Sequence, residues 1–229
     1  MRELVLDTET TGFDPQQGDR IVEIGAVELI NQMPTGRTYH QYINPERAMP
    51  NDAFEVHGLG DDFLRDKPVF KDIAQEFLDF VKDDKMVIHN AAFDMKFLNA
   101  ELGRLKLPQL PWEQALDTLA IARKRFPGSP ASLDALCRRF NIDNSNRTLH
   151  GALLDSEILA EVYLELLGGR QPGLVLANSG NTTSGHSGDT WRASQRPTPL
   201  GSRITEEEAK AHAAFVEKLG DGALWKKLS

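Results

Sequence analysis

An α/β domain followed by a flexible linker and a short terminal helix is the architecture this sequence predicts. Three features predict it: short apolar strands at the start, a buried strand running straight into a helix at MVIHNAAFD, and a stretch beyond residue 176 dominated by Ser, Thr, Gly, Asn and Pro. A strand feeding a helix is the pattern of α/β proteins. A polar stretch without apolar periodicity cannot bury enough surface to offset the entropy of ordering it.

ELVLDTE, RIVEIGAVEL and TYHQYIN read as three strands of an opening meander, separated by the turn-forming GFDPQQGD and NQMPTG. From Pro50 onward the spacing turns helical, and Val69, Ile73, Phe77, Phe80 and Val81 form one apolar stripe. After the short buried strand MVIHN, the segment NAAFDMKFLNAELGRL opens on an Asn suited to capping a helix. Ala92, Met95, Phe97, Leu98 and Leu102 follow at helical spacing. WEQALDTLAIARKRF is ambiguous at its start and helical from Leu119, and SPASLDALCRRFNI is a short helix beginning with Ser and Pro. LLDSEILAEVYLELL, rich in helix formers, is closed by Gly168 and Gly169, so the domain spans 1–170. Residues 177–203 are the linker. In the tail, 204–229, Thr205 and Glu208 form a TxxE capping box, and Ala209, His212, Ala213, Val216 and Leu219 share a face. A helix of about four turns is not stable alone in water. Its face, with Leu224 and Trp225 beyond it, needs the chain's own core or a foreign partner, and the long linker favours the partner.

The chain has 229 residues, enough for one domain and an appendage at the usual ~150 residues per domain. At 40% hydrophobic and 26% charged it is an ordinary globular composition, which excludes collagen-like, coiled-coil and wholly disordered classes. No run of about 18 apolar residues suggests a membrane span, and MRELVLDTE lacks the features of a secretory signal, so the cytoplasm is the expected compartment. Cys137, the single cysteine, can form neither an internal disulfide nor a cysteine-based zinc site and reads as a small buried hydrophobe. Lys and Arg number 26 against 34 Asp and Glu, a net charge of −8. That balance argues against tight unassisted binding to a polyanion, so any nucleic acid has to be held by metals or a partner.

The chemistry lies in a few acids. Asp7 and Glu9 are two apart on the first strand and point the same way. Two like charges on a buried strand repel unless a cation compensates them. Asp94 stands at the opening turn of the helix after MVIHN, where the helix dipole alone also favours an acid. His150 and Asp155 form HxxxxD, which at 100° per residue leaves them about 140° apart on a helix. They converge only if His150 lies on the loop before the helix. Four carboxylates carry a formal charge of about −4, which two divalent magnesium-like cations would neutralise. Carboxylate oxygens suit Mg²⁺ or Mn²⁺ better than zinc, and an adjacent histidine can accept a proton from water near neutral pH. The set asks for phosphodiester hydrolysis.

LDTETTG, HNAAFD and HGALLD, in this order and spacing, resemble the motifs of the DEDD superfamily of 3′ to 5′ exonucleases, in its histidine-bearing (DEDDh) branch. The resemblance covers residues 1–170. It implies a ribonuclease-H-like mixed sheet flanked by helices, with Asp7, Glu9, Asp94 and Asp155 binding two Mg²⁺ or Mn²⁺ ions and His150 as general base. It also implies that Thr10, Thr11, Phe13, His57, His89, Asn90 and Phe93 line the pocket for the 3′-terminal nucleotide, although Phe93 reads equally as plain core. Asp117 matches a family Asp that is second to the ligands or structural. Within the branch, VHGLGDDFL, SLDALCRRFNIDNS, TLHGALLD and the tail's GDGALW are similar to the family of epsilon subunits, the proofreading exonucleases of bacterial DNA polymerase III. That implies a tail docking on the polymerase alpha subunit and a peptide binding the beta sliding clamp. The matching peptide, 171–176, is QPGLVL, with Gln171, Leu174 and Leu176 as anchors, and it departs from the family's more usual aromatic or Met-containing ending. Read without the family it is a chain exit packing two leucines. A small theta subunit accompanies the exonuclease domain in some relatives.

The expected activity is a metal-dependent 3′ to 5′ exodeoxyribonuclease that proofreads DNA 3′ ends at the replication fork and releases nucleoside 5′-monophosphates. Two alternatives stand beside it: an RNA 3′-end-trimming enzyme of the same family, and a catalytically silent adaptor of polymerase and clamp.

Overall fold

The computed structural model describes residues 1–169 and 204–220. They fall into two compact units, one within Met1–Leu176 and one within Ala177–Ser229.

The first unit is built on a five-stranded mixed sheet. Strand β1 (Arg2–Thr10) is central because Leu4, Val5 and Leu6 are all fully buried, so both of its faces are covered. β2 (Ile21–Ile30) pairs antiparallel with β1, and β3 (Met33–Tyr42) pairs antiparallel with β2 at the sheet edge. β4 (Lys85–Ile88) and β5 (Ala115–Asp117) continue the sheet in parallel on the other side of β1, giving the order β3-β2-β1-β4-β5. The predicted third strand, TYHQYIN, starts earlier than its sequence suggested. Pro34 and Gly36 made NQMPTG read as a turn, but β3 is an edge strand, which tolerates a missing N–H, and the turn shrinks to Asn31 and Gln32, both at positive φ.

Side-chain alternation along β1 sends Leu4 and Leu6 to one core and Val5 to another. The first core takes α3 (Phe70–Val81) and α4 (Ala91–Arg104), which supply Phe70, Phe77 and Phe97, each almost fully buried. The second takes α5 (Thr118–Arg125), α6 (Leu133–Phe140) and the long α7 (Ala152–Leu167), with Cys137 buried in it as a free thiol. Helical spacing from Pro50 resolves into two short helices, α1 (Asn51–His57) and α2 (Asp61–Leu64), before α3, and Val69 precedes α3 in extended conformation. The ambiguous WEQALD stretch holds β5, too short to show a period. α5 then begins at Thr118, where Asp117 caps it by accepting from the Leu119 N–H at 2.9 Å.

Two expectations for α4 are corrected. Asn90 is left-handed, at φ 66°, and makes no side-chain cap; its backbone N–H instead donates to Asp117 Oδ1 at 3.0 Å. Ala92 is exposed and Ala91 is buried in its place, because Ala91, Met95, Leu98 and Leu102 follow one another at intervals of three and four and so share the helix face turned to the core.

α7 packs across β1 and β2 at unusually close range. A Cβ on Gly25 would lie 2.2 Å from the Ala152 carbonyl carbon and the Leu153 nitrogen. Gly25 is the register partner of Asp7, so this contact sets the start of α7 beside the first-strand acids. Glu23 and Ser156 lock it: Glu23 Oε2 accepts from the Ala152 N–H at 3.1 Å, and the Ser156 hydroxyl donates to Gly25 O at 3.0 Å.

In the second unit, α8 (Glu206–Lys218) carries the capping box that TxxE predicts, with both reciprocal bonds formed. Phe215 on it and Leu219 at its C-terminal cap are exposed. The expected linker, 177–203, the peptide 171–176 and the residues Leu224 and Trp225 lie outside the described residues. No described helix is long and apolar enough to cross a membrane.

Gly25→Ala should force α7 away from β2 and cost about 1–3 kcal/mol, the usual scale of overpacking. Urea unfolding checks this, and a midpoint equal to that of the native chain would contradict the close contact.

Candidate active site

Three elements bring the four predicted carboxylates to one place. β1 presents Asp7 and Glu9 near its carboxyl end, α4 presents Asp94 in its first turn, and α7 presents Asp155 in its first turn. His150 lies on the loop before α7, as convergence required: the helix starts at Ala152 after Gly151. That loop is pinned by the His150 N–H donating to Val56 O at 3.0 Å, and the imidazole is half-exposed. All four acids and His150 line an open cavity of about 990 Å³, together with Thr10, Thr11, Phe13, His57, His89, Asn90 and Phe93.

Burial makes this cluster electrostatically tense. Glu9, Asp94 and Asp155 are 7%, 2% and 3% exposed. Loss of solvent, followed by the charges of neighbouring acids, holds Asp7 well above the usual carboxylate range and pushes Glu9 up to about 8. Burial raises Asp94 to about 7, although the Thr8 hydroxyl, donating to its Oδ1 at 2.7 Å, favours the ionised form. The His150 pKa is lowered by burial and by the positive charge of Arg147. Burial also lowers His57 and His89.

The donor set suits a hard divalent cation. Glu9 Oε1 is buried with no hydrogen-bond partner, an arrangement that costs free energy unless something positive binds it. Donor atoms of Glu9, His150 and Asp155 lie within 4.8 Å of one another, a spacing one ion could bridge. Carboxylate oxygens are hard donors of the kind that hold divalent cations.

The expected pocket residues differ in their surroundings. The Thr10 hydroxyl donates to Gly12 O at 2.6 Å and the Thr11 hydroxyl to Asp19 at 3.2 Å, so both brace the turn after β1. Phe13 projects from that turn, 83% exposed. His57 Nδ1 accepts from the Leu59 N–H at 3.0 Å, and its Nε2 is buried without a partner. His89 Nδ1 lies 2.9 Å from the Thr118 hydroxyl. Phe93 serves the core as well as the cavity wall, its ring centroid 5.0 Å from that of Phe97. Asp117 holds the start of α5 and the Asn90 N–H rather than facing the cavity.

Sequence reasoning passed over Thr8, Glu23 and Arg147. Thr8 alternates with the acids and reads as a spacer, and Glu23 reads as an ordinary strand residue. Arg147 was visible only as a basic residue three positions before His150; no periodicity or motif marks it.

The chain is similar to known exonucleases. The family model described as exonuclease, of the RNase T type, matches residues 4–163. The DNA polymerase III subunit epsilon of Rickettsia felis is 50% identical over 222 residues, covering 96% of this chain and 97% of its own. That of Escherichia coli is 46% identical over 240 residues, covering 98% and 97%. Among solved structures, exonuclease X in complex with 5′-overhanging duplex DNA superposes with a TM-score of 0.58 at 26% identity, over 72% of this chain and 90% of that one. The nuclease domain of 3′hExo, a DEDDh family member bound to rAMP, shares the fold with a TM-score of 0.62 at 20% identity, over 72% and 91%.

The raised Glu9 value sets a sign for stability. Between the ordinary glutamate value of 4.5 and about 8 the folded, metal-free chain binds more protons than the unfolded one, so stability falls as pH rises through that window. The lowered His57, His89 and His150 values act with the opposite sign until the unfolded histidines have lost their protons, about one unit above 6.5, so the Glu9 slope is read above about pH 7.5. In EDTA, the melting temperature should drop by several degrees from about pH 7.5 to 8.5, and Glu9→Gln should flatten the slope. A wild-type melting temperature constant over that range would contradict the buried acidic cluster.

Proposed function

The chain belongs to the RNase T-type exonuclease family, in the group formed by the epsilon subunits of DNA polymerase III; on that premise we propose that it is a proofreading 3′ to 5′ exonuclease in which Asp7, Glu9, Asp94 and Asp155 hold two Mg²⁺ or Mn²⁺ ions and His150 accepts the proton of the attacking water. One observation carries the assignment of residues. Four carboxylates from three elements converge on one cavity beside a half-exposed imidazole, and one carboxylate oxygen, on Glu9, is buried and unpartnered.

When bound, the divalent ions would supply an activated water and a counter-charge for the leaving oxygen. The protein's own residues do the rest. His150 is neutral at pH 7 because its pKa is lowered, so Nδ1 or Nε2 can take a proton, and its place on a loop lets it reach a water in the cavity. Thr10, Thr11 and Phe13 on one wall, and His57, His89, Asn90 and Phe93 around it, would receive the 3′-terminal nucleotide, with the exposed ring of Phe13 free to stack on a base.

The net charge of −8 leaves no general electrostatic grip on DNA, so the hold on substrate would come from partners. On this reading, residues 204–229 dock on the polymerase alpha subunit through the capped helix α8. Gln171, Leu174 and Leu176 engage the beta sliding clamp, a theta subunit joins the exonuclease domain, and the protein works in the cytoplasm at the fork. The exposed Phe215 of α8 and Leu219 at its C-terminal cap support a docking role.

Mg²⁺-dependent release of mononucleotides from a 3′-labelled single-stranded DNA, beside an RNA of the same sequence, tests the assignment. DNA should be preferred, and Asp7→Ala with Glu9→Ala should lower the rate by about 10³-fold or more while the variant remains folded. A double variant that keeps its activity would overturn the assignment, and a preference for RNA would point to an end-trimming enzyme instead. At saturating metal, the rate should rise with pH along a limb below 6.5 as His150 loses its proton. His150→Ala should lose that limb and about 10²–10⁴-fold in rate, with metal affinity much less affected. Equal losses in rate and affinity would make His150 a ligand.

A further inference from the structure

The acidic site already contains a cation, supplied by the chain. Arg147 places Nε 2.5 Å from Asp155 Oδ1 and Nη2 2.7 Å from Asp155 Oδ2, a two-pronged pair that uses both carboxylate oxygens. The same Nη2 lies 3.0 Å from His150 Nδ1 and 3.3 Å from Nε2. Nη1 lies 3.1 Å from Asp134 Oδ1, and that oxygen is held by the Asn144 amide at 2.9 Å. The Arg147 side chain is only 8% exposed, so these are desolvated contacts rather than a screened surface pair.

Two of the three groups spaced to bridge an ion, His150 and Asp155, are therefore bonded to Arg147. A guanidinium cannot give up its charge by losing a proton. It and a dication cannot share one buried carboxylate without strong repulsion, because the interior screens charge weakly. One must move, and Arg147 has somewhere to go: Asp134 stands on α6 at the outer side of the same guanidinium, and its side chain is 45% exposed.

We propose that Arg147 is an exchangeable counter-cation, which holds Asp155 and His150 in the metal-free chain and leaves Asp155 for Asp134 when a divalent cation binds. The proposal rests on the reading of Asp155 as a metal ligand. It makes Arg147 a positioning residue and a competitor of the metal at once. In the metal-free chain it keeps the α7 carboxylate from being expelled by Asp7 and Glu9, and it occupies the imidazole that would otherwise accept a proton. Metal entry then frees the acid and the base in one exchange.

The test is Mn²⁺ titration of the EDTA-treated full chain, followed by the loss of the free-ion EPR signal, with thermal unfolding in EDTA and in saturating Mn²⁺. Arg147→Ala should bind Mn²⁺ about tenfold more tightly than wild type, since one positive charge no longer competes. Arg147→Lys, which keeps the charge but loses the fork, should fall between them. Arg147→Ala should also melt below wild type in EDTA and close that gap in saturating Mn²⁺, because tighter binding adds more stability. If Arg147→Ala does not fold without metal, Arg147→Lys carries the same comparison. Equal or weaker Mn²⁺ affinity in the folded variants, or a melting gap that persists unchanged with Mn²⁺, would overturn the exchange and leave Arg147 a structural tie. Failure of every variant and of wild type to bind Mn²⁺ would overturn the metal-site reading itself.

Discussion

Gathering four carboxylates at one end of a buried strand is the constraint around which the rest of this domain is arranged. Like charges out of water repel each other and resist desolvation. Asp7, Glu9 and Asp94 accordingly sit at pKa values far above those of free carboxylates. The fold holds Asp94 directly and Asp155 through the start of the helix that carries it. Thr8 donates to Asp94, Glu23 holds the first N–H of α7, and Ser156 fastens α7 to Gly25. Those ties fix where the carboxylates stand, as the supporting residues of a metal site would have to do under the proposed function.

Glycine 25 shows how backbone and chemistry meet. A side chain there would collide with the start of α7, so its absence lets a helix terminus come within contact distance of the sheet. The N-terminal turn of α7 then carries Asp155 to β1, while the loop before it is fastened to α1 through the His150 N–H. Asp155, buried, and His150, half-exposed and five residues earlier, are thereby carried to the cavity by one loop-to-helix connection.

The second unit follows a different logic. Its helix satisfies its own N-terminus with a capping box, yet exposes Phe215 and Leu219. Local capping accounts for where the helix starts, and packing against another surface would account for its apolar residues. The net charge of −8 gives the chain no general electrostatic attraction for a polyanion, which is why the proposed function assigns tethering to the second unit.

Much of this was legible in the residues. The apolar runs of β1 and β2, the helical stripe of α3, the buried Cys137 and the TxxE cap are local signals, set by short-range residue spacing and hydrogen bonds that close within a few residues. The acids and His150 were legible because three motifs recur together in order, and the helical rotation between His150 and Asp155 already required the histidine to precede the helix. Local signals misplaced the start of β3 and the role of Asn90, where an edge position and a left-handed turn overrode propensity. Glu23, Thr8 and Arg147 carried no such signal. Their roles exist only between elements far apart in sequence: Glu23 reaches a helix 129 residues away and Thr8 an acid 86 residues away. Arg147 lies close to Asp155 in sequence, but its meaning depends on the charges of Asp7 and Glu9 from another strand. The sequence by itself determined which chemical groups are present and the local elements that carry them. Tertiary structure alone decided their mutual distances and burial, because Coulombic coupling and desolvation depend on separation in space, and chain order does not encode that.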